Sequence, residues 1–264
     1  VEQPAFKATI KGDTVIEVKI PGFRKPTKQE LAEEAVTFQP REFEGRKYLV
    51  YVPAKRKGKL PTILFLHGSG ERGDDNSAQT FNGVRPMIAR YGSKFPCLVV
   101  VPQCPDEKWW DDPKVMATTF AQLDEAIADF NGDPDQVIIT GLSLGGMATW
   151  KYAAAQPRRF CAMAPCCGFI EFGKESGMKP EGGHLDPDVF YEVAKKVADI
   201  PTWVFHGGAD DVVPVNQSRI MVGLLLGMGK SPRYSEYSGV NHGSWVQAYA
   251  EPDLVPWMLK QRRK

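Results

Sequence analysis

Hydrophobic and polar residues follow two rhythms along this chain, and their order predicts an α/β fold. Short, almost continuous apolar runs at 60–66, 98–101, 137–139 and 201–205 indicate buried strands, and a further strand is expected at 160–164. Segments with helical spacing lie between them. One covers 144–155, and another is marked by Met116, Phe120, Leu123, Ile127 and Phe130, with Gly132 as its stop. This alternation predicts a mostly parallel sheet with helices on both faces.

Residues 1–40 are predicted to form an N-terminal extension packed on the edge of a main domain that covers 41–264. Positions 6–10 and 15–20 alternate between apolar and polar residues, which is typical of half-buried strands. A short helix is expected over 27–35. A glycine-rich stretch over about 166–187 has no clear period, and we expect it to be an insertion or cap loop.

The charge balance disfavours two kinds of partner. Lys and Arg number 33 and Asp and Glu 32, so the formal net charge of +1 gives no general attraction to nucleic acid or to an anionic membrane. No apolar run approaches the ~20 residues of a membrane-spanning helix. We therefore expect no nucleic-acid partner and no membrane span.

The cysteines are predicted to be buried free thiols. There are five, and their spacing fits no zinc site. They are Cys97, Cys104, Cys161, Cys166 and Cys167. Neither a metal nor an organic cofactor is expected.

Ser143 lies in the run Gly-Leu-Ser-Leu-Gly at 141–145, directly after an apolar strand and before a helical segment. This G-x-S-x-G pattern in a strand, turn and helix context predicts a nucleophile elbow, in which the serine hydroxyl is exposed above the sheet. Gly141 and Gly145 leave the backbone room for the strained turn.

An acid and a histidine follow later predicted strands. Asp210 lies in the loop after the strand at 201–205, and His242 follows a strand at 234–237. Parallel sheets place reactive groups at the carboxyl ends of their strands, so both side chains should meet Ser143 at one edge. Spacing alone does not separate Asp210 from the adjacent Asp211, and Asp186 is a weaker third choice.

A nucleophilic serine also requires donors for the oxyanion that its attack creates. The backbone N–H of Leu144 is one candidate by position. The other is expected from the glycine-rich loop at 67–73, at Ser69 or, as second choice, at Gly68. Small residues in this loop would allow the main chain to approach the substrate closely.

Together, the motifs at 67–73, 141–146, 206–214 and 241–242 resemble those of the α/β-hydrolase superfamily. More narrowly, they are similar to the group of dienelactone hydrolases, phospholipases/carboxylesterases and prolyl-oligopeptidase-like serine esterases. The resemblance runs from about residue 45 to the C-terminus. It implies Ser143 as nucleophile, His242 as general base and Asp210 as the orienting acid. Dienelactone hydrolases carry a cysteine at the elbow, so the serine favours ordinary ester hydrolysis.

The segment 101–105, followed by Trp109 and Trp110, also resembles secreted esterases that act on polysaccharides, including feruloyl and acetyl-xylan types. This resemblance implies a small-molecule or polysaccharide-linked ester as substrate. At least one of the two tryptophans is expected to contact it, and Trp245 is a similar candidate for which core packing is favoured. The chain begins with Val1, and we expect a secreted or periplasmic protein, with a cytoplasmic one as the alternative.

Three further predictions concern residues near these motifs. His67 and His206 are expected to make structural hydrogen bonds, His184 to lie in an exposed loop, and Glu71 to pair with Arg72.

Two other functions compete with the esterase. A prolyl-oligopeptidase-like peptidase would normally carry a propeller domain, which a 40-residue extension cannot build. A non-catalytic binding module on the same scaffold should have lost a motif residue, and none is lost.

Overall fold

The computed structural model describes residues 5–10, 14–19, 27, 28, 32, 35–55, 57–171 and 186–263. The centre of the predicted insertion, together with His184, lies outside the described residues. The same holds for most of the helix predicted over 27–35.

The strands confirm the predicted α/β architecture. They are β1 (Ala5–Ile10), β2 (Thr14–Lys19), β3 (Gln39–Phe43), β4 (Arg46–Tyr51), β5 (Leu60–Leu66), β6 (Leu98–Pro102), β7 (Gly132–Leu142), β8 (Ala162–Cys166), β9 (Trp203–Gly207) and β10 (Arg233–Tyr237). Eight of them form one sheet in the order β10-β9-β8-β7-β5-β6-β4-β3. Strands β5 to β10 pair in parallel, and β3 and β4 extend the sheet antiparallel.

Helices cover both faces of this sheet. They are α1 (Val84–Ala89), α2 (Pro113–Asp129), α3 (Leu144–Ala155), α4 (Pro187–Val197), α5 (Asn216–Gly227), α6 (Trp245–Ala250) and α7 (Leu254–Leu259). One buried cluster joins the sheet to α2, α3, α4 and α5, and the other joins it to α1, α6 and α7. Because both faces are covered, the central strands are apolar on both sides, and β6 is buried along its whole length.

Local chemistry determines where α2 begins. The Asp112 carboxylate accepts hydrogen bonds from the backbone N–H of Lys114 at 2.9 Å and of Val115 at 3.3 Å. Pro113 follows in the first turn, where its missing N–H costs nothing. The same pairing of an aspartate cap with proline starts α4, at Asp186.

Three predicted boundaries are wrong by a few residues. Gly132 is the first residue of β7 and not the stop of α2, because the helix already ends at Asp129. Strand β8 lies two residues further on than predicted, since its pairing with β7 runs from Ala162 to Cys166. The main sheet starts at Gln39, which is paired with Val50, and so before residue 41.

The N-terminal strands β1 and β2 form a separate antiparallel pair, as their alternating pattern predicts. How the extension packs on the domain stays a prediction. All five cysteines are buried and free, which confirms the prediction for them. Among the described residues, no helix has both the length and the apolar character needed to cross a membrane.

Candidate active site

The turn between β7 and α3 has the geometry of a nucleophile elbow. Ser143 has φ 52° and ψ −115°, a conformation that costs a residue with a side chain about 1–3 kcal/mol. A Cβ on Gly145 would lie 1.9 Å from the carbonyl oxygen of Leu66, and one on Gly141 would lie 2.4 Å from that of Gly145. The turn is thus packed against the end of β5 by its backbone, and only glycine fits at these two positions.

Ser143, His242 and Asp210 are joined in a hydrogen-bonded chain. The Nε2 atom of His242 is 2.8 Å from Ser143 Oγ, and its Nδ1 atom is 2.8 Å from Asp210 Oδ2. The three residues follow β7, β10 and β9, so they meet at the carboxyl edge of the sheet. Asp211 is exposed, and Asp186 caps α4 instead. The carboxylate that reaches the imidazole is therefore that of Asp210.

The Asp210 carboxylate is fully buried and receives hydrogen bonds on both oxygens. Oδ1 accepts from the backbone N–H of Val212 at 2.9 Å and of Val213 at 2.8 Å. Oδ2 lies 3.2 Å from His206 Nε2, in addition to its contact with His242. Burial is the largest influence and raises the pKa of Asp210, but the hydrogen bonds from the two histidines and the backbone together hold this pKa well below its usual range.

His242 is held from two sides, by Asp210 and by Trp245. The Trp245 ring stands edge-on to the imidazole, with 5.4 Å between ring centroids and an interplanar angle of 89°. Burial acts to lower the pKa of His242, but the hydrogen bond from its ring to Asp210 and the negative charge of Asp210 outweigh it, so the pKa is raised. The imidazole is therefore a stronger base than an isolated histidine.

The loop after β5 lies beside the elbow. A Cβ on Gly68 would meet Leu142 Cδ1 at 2.8 Å, so this loop packs closely on the residue that precedes Ser143. Ser69 begins a short 3₁₀ turn, Ser69–Glu71, and Leu144 is the first residue of α3. The first N–H groups of a helix have no partner within that helix, so the Leu144 N–H, directly after Ser143, has none inside α3.

The predicted ion pair between Glu71 and Arg72 is wrong. Among the ion pairs of the described residues none joins these two side chains. The Arg72 guanidinium donates to the carbonyl oxygens of Ser69 and Asp106, at 3.1 and 2.8 Å. The Glu71 carboxylate turns inward and accepts from the Asn82 amide. The loop is stiffened by these separate bonds.

His67 makes the structural hydrogen bonds predicted for it. Its Nδ1 atom is 2.6 Å from the Gly68 carbonyl oxygen, and its Nε2 atom accepts from the Cys104 N–H at 3.0 Å. Burial lowers the pKa of His67 to about 4, so the ring is neutral. It fixes the base of the loop at 67–73.

The two adjacent tryptophans have different environments. Trp109 is 42% exposed, and its ring contacts that of Phe169 edge-on at 6.3 Å. Trp110 is fully buried, and its Nε1 atom donates to the His67 carbonyl oxygen at 3.1 Å. The expected substrate contact of Trp110 is therefore corrected to core packing. Trp245 is half-buried against His242, and a substrate contact for it and for Trp109 stays a prediction.

Sequence reasoning missed Cys167, which lies directly behind the hydrogen-bonded chain. Its sulfur and the ligand atoms of Asp210 and His242 lie within 4.8 Å of one another, the only such group of potential metal ligands among the described residues. Complete burial raises the pKa of the Cys167 thiol well above its usual range, so the sulfur keeps its proton. The other two side chains are bonded to each other. A protonated thiol and two side chains that are bonded to each other are poor ligands, so these three residues do not fit a metal ion.

The mostly parallel sheet, with a serine on a strained elbow and a histidine and an aspartate after later strands, defines an α/β-hydrolase. The model of the prolyl oligopeptidase family matches residues 114–261, more than half of the 264 residues. The chain belongs to this family.

Two relatives and one solved structure illustrate the similarity. An uncharacterized secreted protein of Arthroderma benhamiae is 30% identical over 225 residues, which cover 76% of this chain and 23% of that protein. A bifunctional acetylxylan esterase/xylanase of Neocallimastix patriciarum is 26% identical over 176 residues, or 66% of this chain and 22% of that protein. The chain thus spans less than a quarter of either relative. The crystal structure of a thermostable esterase matches with a TM-score of 0.73 and 30% identity, over 88% of this chain and 64% of that one.

Proposed function

We propose that this chain is a serine carboxylic-ester hydrolase, with Ser143 as nucleophile, His242 as general base and Asp210 as the acid that orients it. The observation that carries the proposal is the unbroken chain of hydrogen bonds from Ser143 Oγ through both nitrogens of His242 to Asp210. A buried carboxylate, a more basic imidazole and a serine on a strained elbow form the arrangement that nucleophilic acyl transfer requires.

The reaction proceeds in two steps. As Ser143 Oγ attacks the ester carbonyl carbon, His242 Nε2 takes the hydroxyl proton, and the Asp210 carboxylate stabilises the imidazolium. The backbone N–H of Leu144 and that of Ser69, or of Gly68, donate to the oxyanion. The tetrahedral intermediate collapses, the alcohol leaves with the proton from His242, and an ester on Ser143 remains. Water then attacks this ester with His242 again as base, the bond between the acyl carbon and Ser143 Oγ breaks, and His242 returns the proton to Oγ as the acid leaves.

The substrate class proposed is an ester of a short acyl group or of an acetyl or feruloyl group carried by carbohydrate. The activity of the Neocallimastix relative supports this class. So does the exposed ring of Trp109, since an aromatic face packs against a sugar ring or an aryl group. A secreted or periplasmic location is proposed with it, and the secreted Arthroderma relative supports that location.

A peptidase is the second candidate, and the match to the prolyl oligopeptidase family favours it. The same serine, histidine and aspartate would then attack an amide. Esters and amides differ in the leaving group, so a single panel that contains both distinguishes the two activities.

The test is hydrolysis of a substrate panel by the wild type, by Ser143→Ala and by the control Ser93→Ala, which changes an exposed serine in the 3₁₀ turn Gly92–Lys94. The panel contains p-nitrophenyl acetate, butyrate and octanoate, a feruloyl ester and acylated peptide p-nitroanilides. We expect turnover of short acyl or feruloyl esters that falls about 10⁴-fold or more in Ser143→Ala and is unchanged in Ser93→Ala. Turnover of the anilides alone would favour the peptidase. Equal, negligible rates for all proteins and substrates would reject both activities.

A further inference from the structure

Asp210 is contacted by two histidines, and only one of them, His242, is hydrogen-bonded to Ser143. We infer that His206 is a positioning residue for the proposed hydrolysis: it holds the Asp210 oxygen that bonds His242 and limits how basic His242 becomes. The inference rests on the proposed function, in which His242 is the general base.

The hydrogen bonds around His206 fix which of its nitrogens carries the proton. The side chain is fully buried, and its Nε2 atom is 3.0 Å from the Val213 carbonyl oxygen and 3.2 Å from Asp210 Oδ2. Both partners accept only, so Nε2 must carry hydrogen. In the neutral ring, the Nδ1 atom, 2.7 Å from Ser218 Oγ, accepts from that hydroxyl. Donation then runs from Ser218 through His206 to the Val213 carbonyl oxygen, with Asp210 Oδ2 3.2 Å from the same nitrogen.

Both histidines lie against the same carboxylate oxygen. Asp210 Oδ2 accepts from His242 Nδ1 at 2.8 Å and lies 3.2 Å from His206 Nε2, whereas Oδ1 accepts from two backbone N–H groups and lies 3.1 Å from His242 Nδ1. A polar N–H edge beside a carboxylate stabilises its charge and lowers its affinity for further protons. The contact with His206 therefore restrains the carboxylate and weakens its stabilisation of the His242 imidazolium.

The other titratable groups near His206 and Asp210 are bonded elsewhere, neutral or exposed. Glu236, opposite His206 on β10, is held by Arg219 of α5 at 2.6 Å and by the Tyr234 hydroxyl at 2.6 Å. Cys167, beyond the end of β8, is buried as a neutral thiol. Asp211, in the loop after β9, is exposed. Asp210 is thus the ionised group in direct contact with both imidazoles.

Two substitutions separate positioning from packing. His206→Gln places an amide N–H near the position of Nε2, whereas His206→Leu fills the space without a donor. For His206→Leu we expect kcat/KM to fall about 10- to 100-fold and the acid limb of its pH profile to move up by about half a pH unit, because the freed carboxylate stabilises the His242 imidazolium more. His206→Gln should retain most of the rate and the wild-type limb. Ser218→Ala, which leaves His206 in place, should move the limb in the same direction by less.

The pKa of His242, measured by NMR on Ser143→Ala, gives a readout that needs no turnover. It should be higher when His206→Leu is added and unchanged when His206→Gln is added. An unmoved His242 pKa in His206→Leu, or equal rate losses in both variants, would overturn the positioning role. If His206→Leu does not fold, the same titration in Ser218→Ala decides. If the wild type hydrolyses no ester, the proposed function is rejected, but the NMR titration of His242 still tests the contact with His206.

Discussion

The elbow at 141–146 and three exposed side chains, whose chain neighbours contact residues of the site, are built in opposite ways. At the elbow, a Cβ on Gly145 would lie 1.9 Å from one backbone oxygen and a Cβ on Gly146 2.5 Å from another. In contrast, Phe81 is 63%, Trp109 42% and Val246 66% exposed. We call these three side chains the rim. The elbow has no room for a single methyl group, whereas the rim borders solvent.

Each rim residue is the chain neighbour of a residue bound to the site. Phe81 precedes Asn82, which binds Glu71 of the loop at 67–73, and Val246 follows Trp245, which contacts His242. Trp109 precedes Trp110, which binds the backbone of His67. The difference teaches that backbone packing alone holds the elbow in place. Substitution of the rim side chains should leave that packing intact, so we expect substrate selection to depend on the rim.

Substitution at two neighbouring aspartates should show the sharpest difference. Asp210→Asn removes the buried carboxylate that holds His242, and we expect kcat/KM on the best ester to fall by about 10⁴-fold. The matched control Asp211→Asn changes an exposed carboxylate and should keep the rate within about twofold of the wild type. Comparable losses in both variants, measured by steady-state kinetics, would contradict the assignment of Asp210.

Two glycines test the packing of the elbow. A methyl group at Gly145 would overlap the Leu66 carbonyl oxygen, so Gly145→Ala should lower the free energy of unfolding by about 3 kcal/mol or more. Gly223, within α5, has open space around its Cβ position, and Gly223→Ala should raise that free energy by about 0.5–1 kcal/mol. Denaturant titration measures both changes. A Gly145→Ala protein as stable as the wild type would disprove the close packing.

The adjacent tryptophans test whether the rim selects substrate. Trp109→Ala should change the free energy of unfolding by less than about 1 kcal/mol. It should reduce kcat/KM by about tenfold on a feruloyl or acetylated-carbohydrate ester and leave p-nitrophenyl acetate unaffected. Trp110→Ala, in the core, should instead cost about 3–5 kcal/mol of stability. If Trp109→Ala hydrolyses all esters as the wild type does, Trp109 has no part in selection.

The smallest expected effect is a displacement along the pH axis. The pKa of His242 is raised above its ordinary value of 6.5. Because a general base acts only when deprotonated, kcat/KM should rise with pH through a midpoint above 6.5. Trp109→Ala changes no titratable group and should keep this midpoint, whereas Asp210→Asn should move it to lower pH. A wild-type midpoint below 6.5 would contradict the raised pKa.

The free energy of unfolding should fall at acid pH because the Asp210 carboxylate is protonated there. Its pKa is lower in the folded protein than its ordinary value of 3.8, so it stabilises the fold above that pH, and the contribution is lost as the pH falls through the folded pKa.

The sequence predicts the sheet and the positions of Ser143 and His242 in it because both depend on patterns several residues long. The apolar runs of β5 and β6 and the glycines around Ser143 are such patterns, and the structure contains each of them. Choices between neighbours are different. Trp109 and Trp110, like Asp210 and Asp211, have the same chemistry and adjacent positions, and only the direction of the backbone in a loop decides which side chain faces inward.

No sequence pattern predicts the contact of His206 with Asp210 either. The two residues are four apart, but the chain between them leaves a strand and turns, so no helical periodicity predicts that they meet. The predicted structural role of His206 is confirmed by its bonds to Ser218 and Val213. The position of Cys167 is equally hard to predict, because it depends on the backbone of Cys167 itself, which has a φ of 38° directly after β8.

The most direct test of the central claim is covalent labelling of the folded protein by a fluorophosphonate, followed by mass spectrometry of the peptides. An activated serine displaces the fluoride and keeps the phosphonyl group, whereas an ordinary serine does not react. We predict one adduct per chain, on the peptide that contains Ser143, absent in Ser143→Ala and formed much more slowly in His242→Ala. An unlabelled wild type, or an adduct on any other residue, would contradict the claim that Ser143 is the nucleophile.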